Sequence, residues 1–230
     1  MSMQDMVKGV EKFRINYFCS HQEMFGRLAQ GQAPQVLFIT CSDSRIDPNL
    51  ITQTQPGELF VIRNVGNIIP PFGTANFTEA AAIEYAIQAL GIKDIIICGH
   101  SHCGAMKGLL QLGSLSQEMP LVYEWLHHYA AATRRLVQDN YQEYEGEELL
   151  SLTVKENVLT QIENLETYPV IRSRLRSGQL FLHAWVYEIE SGNVIAYNAN
   201  LGQFVPIKDP LPVPDPIASA RSGLSELMEF

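Results

Sequence analysis

Two short stretches of this chain carry residue types that do metal chemistry: Cys41-Ser42-Asp43-Ser44-Arg45 and, far along the sequence, His100-Ser101-His102-Cys103. Two thiolates and an imidazole form a donor set suited to zinc. His100 and Cys103 are three residues apart, so a helix starting near Ser101 would turn both toward one ion. His102, one residue from Cys103, would point elsewhere, and its alternative role is that of a loop polar residue or an outer hydrogen-bond donor. Three ligands leave a fourth position open, which is the habit of catalytic rather than structural zinc. Water held there loses a proton near neutral pH and becomes a hydroxide nucleophile. Asp43 can accept that water's hydrogen bond or take the fourth position itself. Arg45 can hold Asp43 in a bidentate ion pair that lowers the carboxyl pKa and fixes its direction. A lone Asp-x-Arg is usually a solvated loop pair; immediately after one ligand and facing two others, it reads as a working dyad.

Two rival chemistries fail on spacing. A Cys-x5-Arg phosphatase loop needs arginine six residues after the nucleophile, where Asp47 stands, and no two cysteines form a Cys-x-x-Cys redox pair. The other candidates have plainer readings. Cys98 ends an apolar run and reads as a small core residue. Cys19 falls in a helical segment, expected against another helix. His127 and His128 sit within a helix, and His183 alternates with Phe181 and Trp185 as a hydrogen-bonded core or interface residue.

The elements that must bring the two stretches together are legible in the apolar pattern. Val36–Ile39, Leu59–Ile62 and Ile95–Cys98 are continuous apolar runs bounded by turn residues, as suits strands buried on both faces of a parallel sheet. Thr78–Leu90, rich in alanine and stopped by Gly91, is the helix of a βαβ unit. Cys41 and His100 then follow directly on two parallel strands, at the sheet edge where open α/β folds collect their sites. Leu121–Val137 and Leu152–Leu165 read as helices, and Pro169 opens a short one. Leu180–Tyr187 and Asn193–Tyr197, split by Ser191-Gly192, form a hairpin that adds an antiparallel edge. The first thirty residues, with Met6, Val10, Phe13, Tyr17 and Phe18 at helical spacing, form an amphipathic arm. The fold class is therefore α/β: a largely parallel central sheet with an antiparallel edge, flanking helices and an N-terminal helical arm.

Composition narrows the function classes. Hydrophobic residues at 46% against 18% charged describe a soluble globular enzyme. A net charge of −9 argues against nucleic acid, which needs clustered cations. No apolar run approaches the ~20 residues that span a bilayer, and the charged MSMQDMVKGVEKF start does not resemble a secretory leader.

Cys41-x-Asp43-x-Arg45 followed by His100-x-x-Cys103 resembles the β-class carbonic anhydrases. Gln55-Pro56-Gly57-Glu58, Arg63-Asn64-Val65-Gly66-Asn67 and Ala82-Ile83-Glu84-Tyr85 extend the likeness, which covers approximately residues 10 to 200. The resemblance implies one zinc per subunit on Cys41, His100 and Cys103, the Asp43–Arg45 dyad beside it, and reversible hydration of carbon dioxide to bicarbonate and a proton. Within the family the chain is similar to the plant-like subgroup: Gln32, Phe60 and Tyr85 match its substrate-site residues, and Val65 joins Phe60 in an apolar wall. It is less similar to the bacterial subgroup regulated by bicarbonate at a separate site. The resemblance also implies a homo-oligomer built from dimers that pair through the arm and the sheet edge, with active sites at the dimer interface. Two alternatives stay open at this point: a carbon disulfide or carbonyl sulfide hydrolase on the same fold, and a catalytically silent subunit with structural zinc.

Residues 1–205 thus form the catalytic domain, 1–30 being its arm, and 206–230 a proline-rich tail. Pro206–Pro216 reads as a semi-rigid spacer, and Ser219–Phe230 as a short helix with Leu224, Leu227 and Met228 on one face. The body is similar to cyanobacterial carboxysomal carbonic anhydrases, some of which carry C-terminal extensions that engage scaffold proteins. A cytoplasmic enzyme and one packed into carboxysomes through the tail are both consistent with the sequence.

Overall fold

The computed structural model describes residues 1–74 and 78–207 in two compact units, Met1–Ala33 and Pro34 onward. The expected helix and spacer lie outside the described residues, apart from Pro206 and Ile207.

The first unit is the expected arm, three helical segments long. Helix α1 (Met3–Lys12) starts at a capping box in which Ser2 and Asp5 satisfy each other's backbone N–H groups. It runs into a π-helical segment, Phe13–Phe18, and then α2 (Gln22–Leu28). None of its helical residues is buried; Phe13 and Phe18 pack on Phe25, while Met6, Val7 and Val10 stay exposed. Cys19 is exposed too, instead of packing on a helix of its unit.

The second unit is built on six strands: β1 (Val36–Cys41), β2 (Leu59–Asn64), β3 (Asp94–His100), β4 (Phe181–Tyr187), β5 (Val194–Asn198) and β6 (Gln203–Pro206), in spatial order β2-β1-β3-β4-β5-β6. The first four pair in parallel, and β5 and β6 add the antiparallel edge. β1 and β3 lie inside the sheet and are buried almost throughout, whereas the edge strand β2 is only partly covered. β6 was not anticipated, and Pro206, where the tail was expected to begin, closes it. It tolerates proline because it is the last strand of the sheet.

Short α3 (Pro48–Thr52) follows β1, and α4 (Thr78–Gln88) links β2 to β3 as the βαβ reading requires. After β3 come α5 (Gly104–Leu110), α6 (Leu112–Glu118), α7 (Pro120–Tyr129) and α8 (Ala131–Asn140); the single helix expected over 121–137 is broken at Ala130. α9 (Gly146–Glu166), with Glu147 and Glu148 complementing its N-terminal dipole, packs on β3 and β4, and α10 (Pro169–Arg176) leads into β4. Gly99 permits that packing: a Cβ there would stand 2.8 Å from Val158 Cγ2 and 3.0 Å from Val154 Cγ1. α9 is thereby seated against the strand residue that precedes His100.

Candidate metal centre

Cys41 is the last residue of β1 and His100 the last of β3, so two adjacent parallel strands deliver them to one edge of the sheet. Cys103 arrives differently from the helix-start reading. Ser101 and His102 form a turn, with the Ser101 N–H donating to the Tyr187 carbonyl at 2.9 Å and His102 in the left-handed region at φ 52°. Cys103 is the N-cap of α5, not a residue one helical turn beyond His100. Strand end, left-handed turn and cap place the same two side chains together that a helix was expected to align.

The two Sγ atoms and a His100 ring nitrogen lie within 4.8 Å of one another, and all three residues are buried. His100 Nδ1 is 2.9 Å from the Ser101 carbonyl, which only accepts, so Nδ1 carries the proton and Nε2 is left with a lone pair. That Nε2 is buried with no hydrogen-bond partner. A hydrogen bond from Cys103 pushes the Cys41 thiol down into the thiolate range, while Cys103, sharing that proton and buried, is pushed up. An unpartnered imidazole nitrogen facing two cysteine sulfurs, one of them acidified by the other, fits a soft-to-borderline divalent ion such as zinc. The fourth cysteine stays apart: burial pushes the Cys98 thiol up to about 12, and it remains a core residue.

Asp43 is gripped as expected. Arg45 donates from Nε to Oδ1 at 2.9 Å and from Nη2 to Oδ2 at 2.7 Å, and its backbone N–H adds a third bond at 3.0 Å. These bonds, led by the Arg45 side chain, hold the Asp43 carboxyl well below the usual carboxylate range. Asp43 Oδ2 lies 3.8 Å from His100 Nε2, so the carboxylate faces the position a metal would take. Arg45 Nη2 also donates to the His102 carbonyl at 3.0 Å, tying the dyad to the second loop. The His102 side chain turns away, its ring nitrogens pairing with Glu147 and Glu190.

Arg63 is a positioning residue that the spacing argument did not single out. From β2 it donates to the carbonyls of Cys41 (3.1 Å), Asp43 (2.7 Å) and Ile46 (3.0 Å), clamping the loop that carries the ligand and the dyad. Its signal was present in the Arg63–Asn67 motif, which looked like family pattern without a stated role.

Within the second unit, Val65 does not converge with Phe60 and Tyr85. Val65 is beside the centre, lining an open groove of about 360 Å³ with Ser42, Leu121, Val122 and Trp125. Phe60 and Tyr85 face each other with ring centroids 6.1 Å apart. Phe60, however, is registered with Leu37, four residue pairs before Cys41, or roughly 13 Å along the sheet at ~3.3 Å per residue. Gln32 belongs to the arm unit and is exposed.

Comparison with known proteins gives a consistent result. Residues 36–194 match a family model described as carbonic anhydrase. The chain is 61% identical over 203 residues to a carbonic anhydrase of Synechocystis sp., covering 88% of this chain and 74% of that one. It is 62% identical over 193 residues to one from Synechococcus elongatus, covering 84% and 71%. Among solved structures, the β-carbonic anhydrase CcaA matches with a TM-score of 0.88 at 60% identity, over 89% of this chain and 99% of that one. A tetrameric β-carbonic anhydrase of Sordaria macrospora matches at 28% identity with a TM-score of 0.73, over 88% and 98%.

Proposed function

The chain belongs to the β-class carbonic anhydrases, and on that basis we propose that Cys41, His100 and Cys103 hold one zinc per subunit for the hydration of carbon dioxide. The observation that carries this reading is the convergence of two sulfurs and an unpartnered imidazole nitrogen, with Asp43 Oδ2 3.8 Å from that nitrogen. Bound there, zinc supplies the Lewis acidity that lets water lose a proton near neutral pH. Asp43, kept ionised by Arg45, can only accept a hydrogen bond. Asp43 Oδ2 would therefore accept the hydrogen bond of a water or hydroxide at the metal position and fix its direction, and the bound group would supply the nucleophile for conversion of carbon dioxide to bicarbonate, with the released proton passing to buffer.

The substrate wall is a property of a pair of subunits. Val65 is at hand within the chain, while Phe60, Tyr85 and Gln32 serve the centre of a second copy. Three observations support this: the distance of Phe60 from Cys41 along the sheet, the 48% exposure of Tyr85, and the uncovered apolar face of the arm. The tetrameric relative from Sordaria macrospora agrees with an oligomer built from dimers. Gln32 donates its amide N–H to a substrate oxygen, and the apolar rings exclude water around a nonpolar substrate.

No helix among the described residues is long and apolar enough to cross a membrane. The similarity to cyanobacterial enzymes supports work in the cytoplasm, with the tail, 206–230, engaging a carboxysome scaffold protein so that bicarbonate is converted back to carbon dioxide where carbon is fixed. Stopped-flow assays with carbon dioxide, carbonyl sulfide and carbon disulfide test the substrate. Turnover confined to carbon dioxide is expected, and preference for either sulfur compound would overturn the assignment.

A further inference from the structure

The Cys41 sulfur has a partner besides its fellow donors: the Gly66 N–H, 3.4 Å away. Gly66 is held in the left-handed region at φ +83°, tucked so closely that a Cβ would stand 3.1 Å from Ala105 Cβ and Met106 Cε. Its own carbonyl accepts from Asn157 Nδ2 at 2.9 Å. Asn157, 1% exposed on α9, is locked in that orientation because its Oδ1 accepts from Gln161 Nε2 at 3.0 Å. Gln161 Oε1 in turn accepts the Ile69 N–H at 2.8 Å, and Asn164 donates to the Ile69 carbonyl at 2.9 Å. Asn157, Gln161 and Asn164 recur at four- and three-residue spacing, a single polar stripe on the helix.

We propose that Asn157, which makes no hydrogen bond to a metal ligand, is a positioning residue that tunes the Cys41 sulfur at one remove. It pins the Gly66 carbonyl, and through the Gly66 Cα this fixes the neighbouring 65–66 peptide, whose N–H reaches the sulfur. Trp125 holds that peptide from its other side, with Nε1 donating to the Val65 carbonyl at 2.8 Å. A peptide N–H directed at a thiolate withdraws electron density from the sulfur and fixes its lone pairs, and such outer hydrogen bonds orient ligands and tune the metal they hold. Apolar side chains would have filled the space between α9 and the 64–69 turn. Two buried amides, Asn157 and Gln161, with half-buried Asn164, instead fix where the Gly66 carbonyl lies. Buried amides break this alignment when one is lost, because the remaining groups must find other partners.

This inference rests on Cys41 being a metal ligand, and the test separates the two. The zinc is replaced by cobalt(II), whose sulfur-to-metal absorption band reports electron density on the thiolates. In Asn157→Leu, similar in size but lacking the donor, the band moves to longer wavelength and zinc affinity falls roughly 10–100-fold. Gln161→Met, which releases Asn157 from its anchor while conserving side-chain length, shifts the band in the same direction by less. Ile171→Ala, at a fully buried residue of α10 outside the stripe, lowers thermal stability and leaves the band in place. A band unmoved in both Asn157→Leu and Gln161→Met overturns the tuning role, as does an equal shift in Ile171→Ala. Absence of the band in the wild-type protein overturns the ligand assignment and the inference with it.

Discussion

Arg45 holds Asp43 through both carboxylate oxygens, leaving Oδ2 3.8 Å from the one His100 nitrogen that no protein group satisfies. The ion pair makes the carboxylate a fixed acceptor pointing at the metal position. Asp43→Asn keeps the shape but presents an N–H donor or a weaker acceptor. Zinc content should stay near wild type while hydration slows by roughly 10²-fold or more, the usual worth of a positioned proton acceptor. Hydration at the wild-type rate would remove Asp43 from the mechanism.

Placing Phe60 four residue pairs from Cys41 predicts complementation between subunits. Asp43→Asn and Phe60→Ala should each be impaired as homo-oligomers. When the two variants are unfolded together and reassembled, hybrid dimers acquire one site with both native residues, and activity should rise above that of either parent. If Phe60 served its own chain's centre, every site in the mixture would carry a defect, and no recovery would be measured.

The Gly99 contact with α9 predicts a coupled loss of stability and metal binding. Gly99→Ala drives a methyl group into Val158 and Val154, an overpacking that costs ~1–3 kcal/mol. Calorimetry should show a lower unfolding temperature, and zinc should be released faster because His100 is the next residue. An unchanged unfolding temperature would mean that α9 does not sit this close to β3.

The strands inside the sheet were legible because burial on both faces leaves continuous apolar runs, as in β1 and β3. The centre was legible because two of its residues, Cys41 and His100, fall at strand ends, where spacing along the chain translates into position. The turn through His102 was not, since nothing in His-Ser-His-Cys marks a left-handed residue before a cap. β6 escaped because its four residues end in Pro206 and merge with a proline-rich stretch. The Asn157–Gln161–Asn164 stripe escaped for a different reason: polar residues at helical spacing look like a solvent-facing side, and only the packing of α9 shows Asn157 and Gln161 to be buried. Nor does a sequence show that Phe60 is registered with Leu37, four residue pairs from Cys41.

The tail carries its own prediction. Deleting 208–230 leaves every described residue of the centre and the sheet in place, so hydration should persist at the full-length rate. In a carboxysome-forming host, a fluorescently tagged truncated enzyme should spread through the cytoplasm while the full-length one forms puncta. Puncta formed equally by both would show that the body alone directs the enzyme there.

Zinc content and carbon dioxide hydration, measured together on the native protein and on Cys41→Ser, test the central claim most directly. The native chain should bind one zinc per subunit and hydrate carbon dioxide rapidly. Cys41→Ser, left with one sulfur and one imidazole, should lose both the metal and the activity. Hydration by metal-free protein, or a Cys41→Ser variant that keeps its zinc and its rate, would contradict the account.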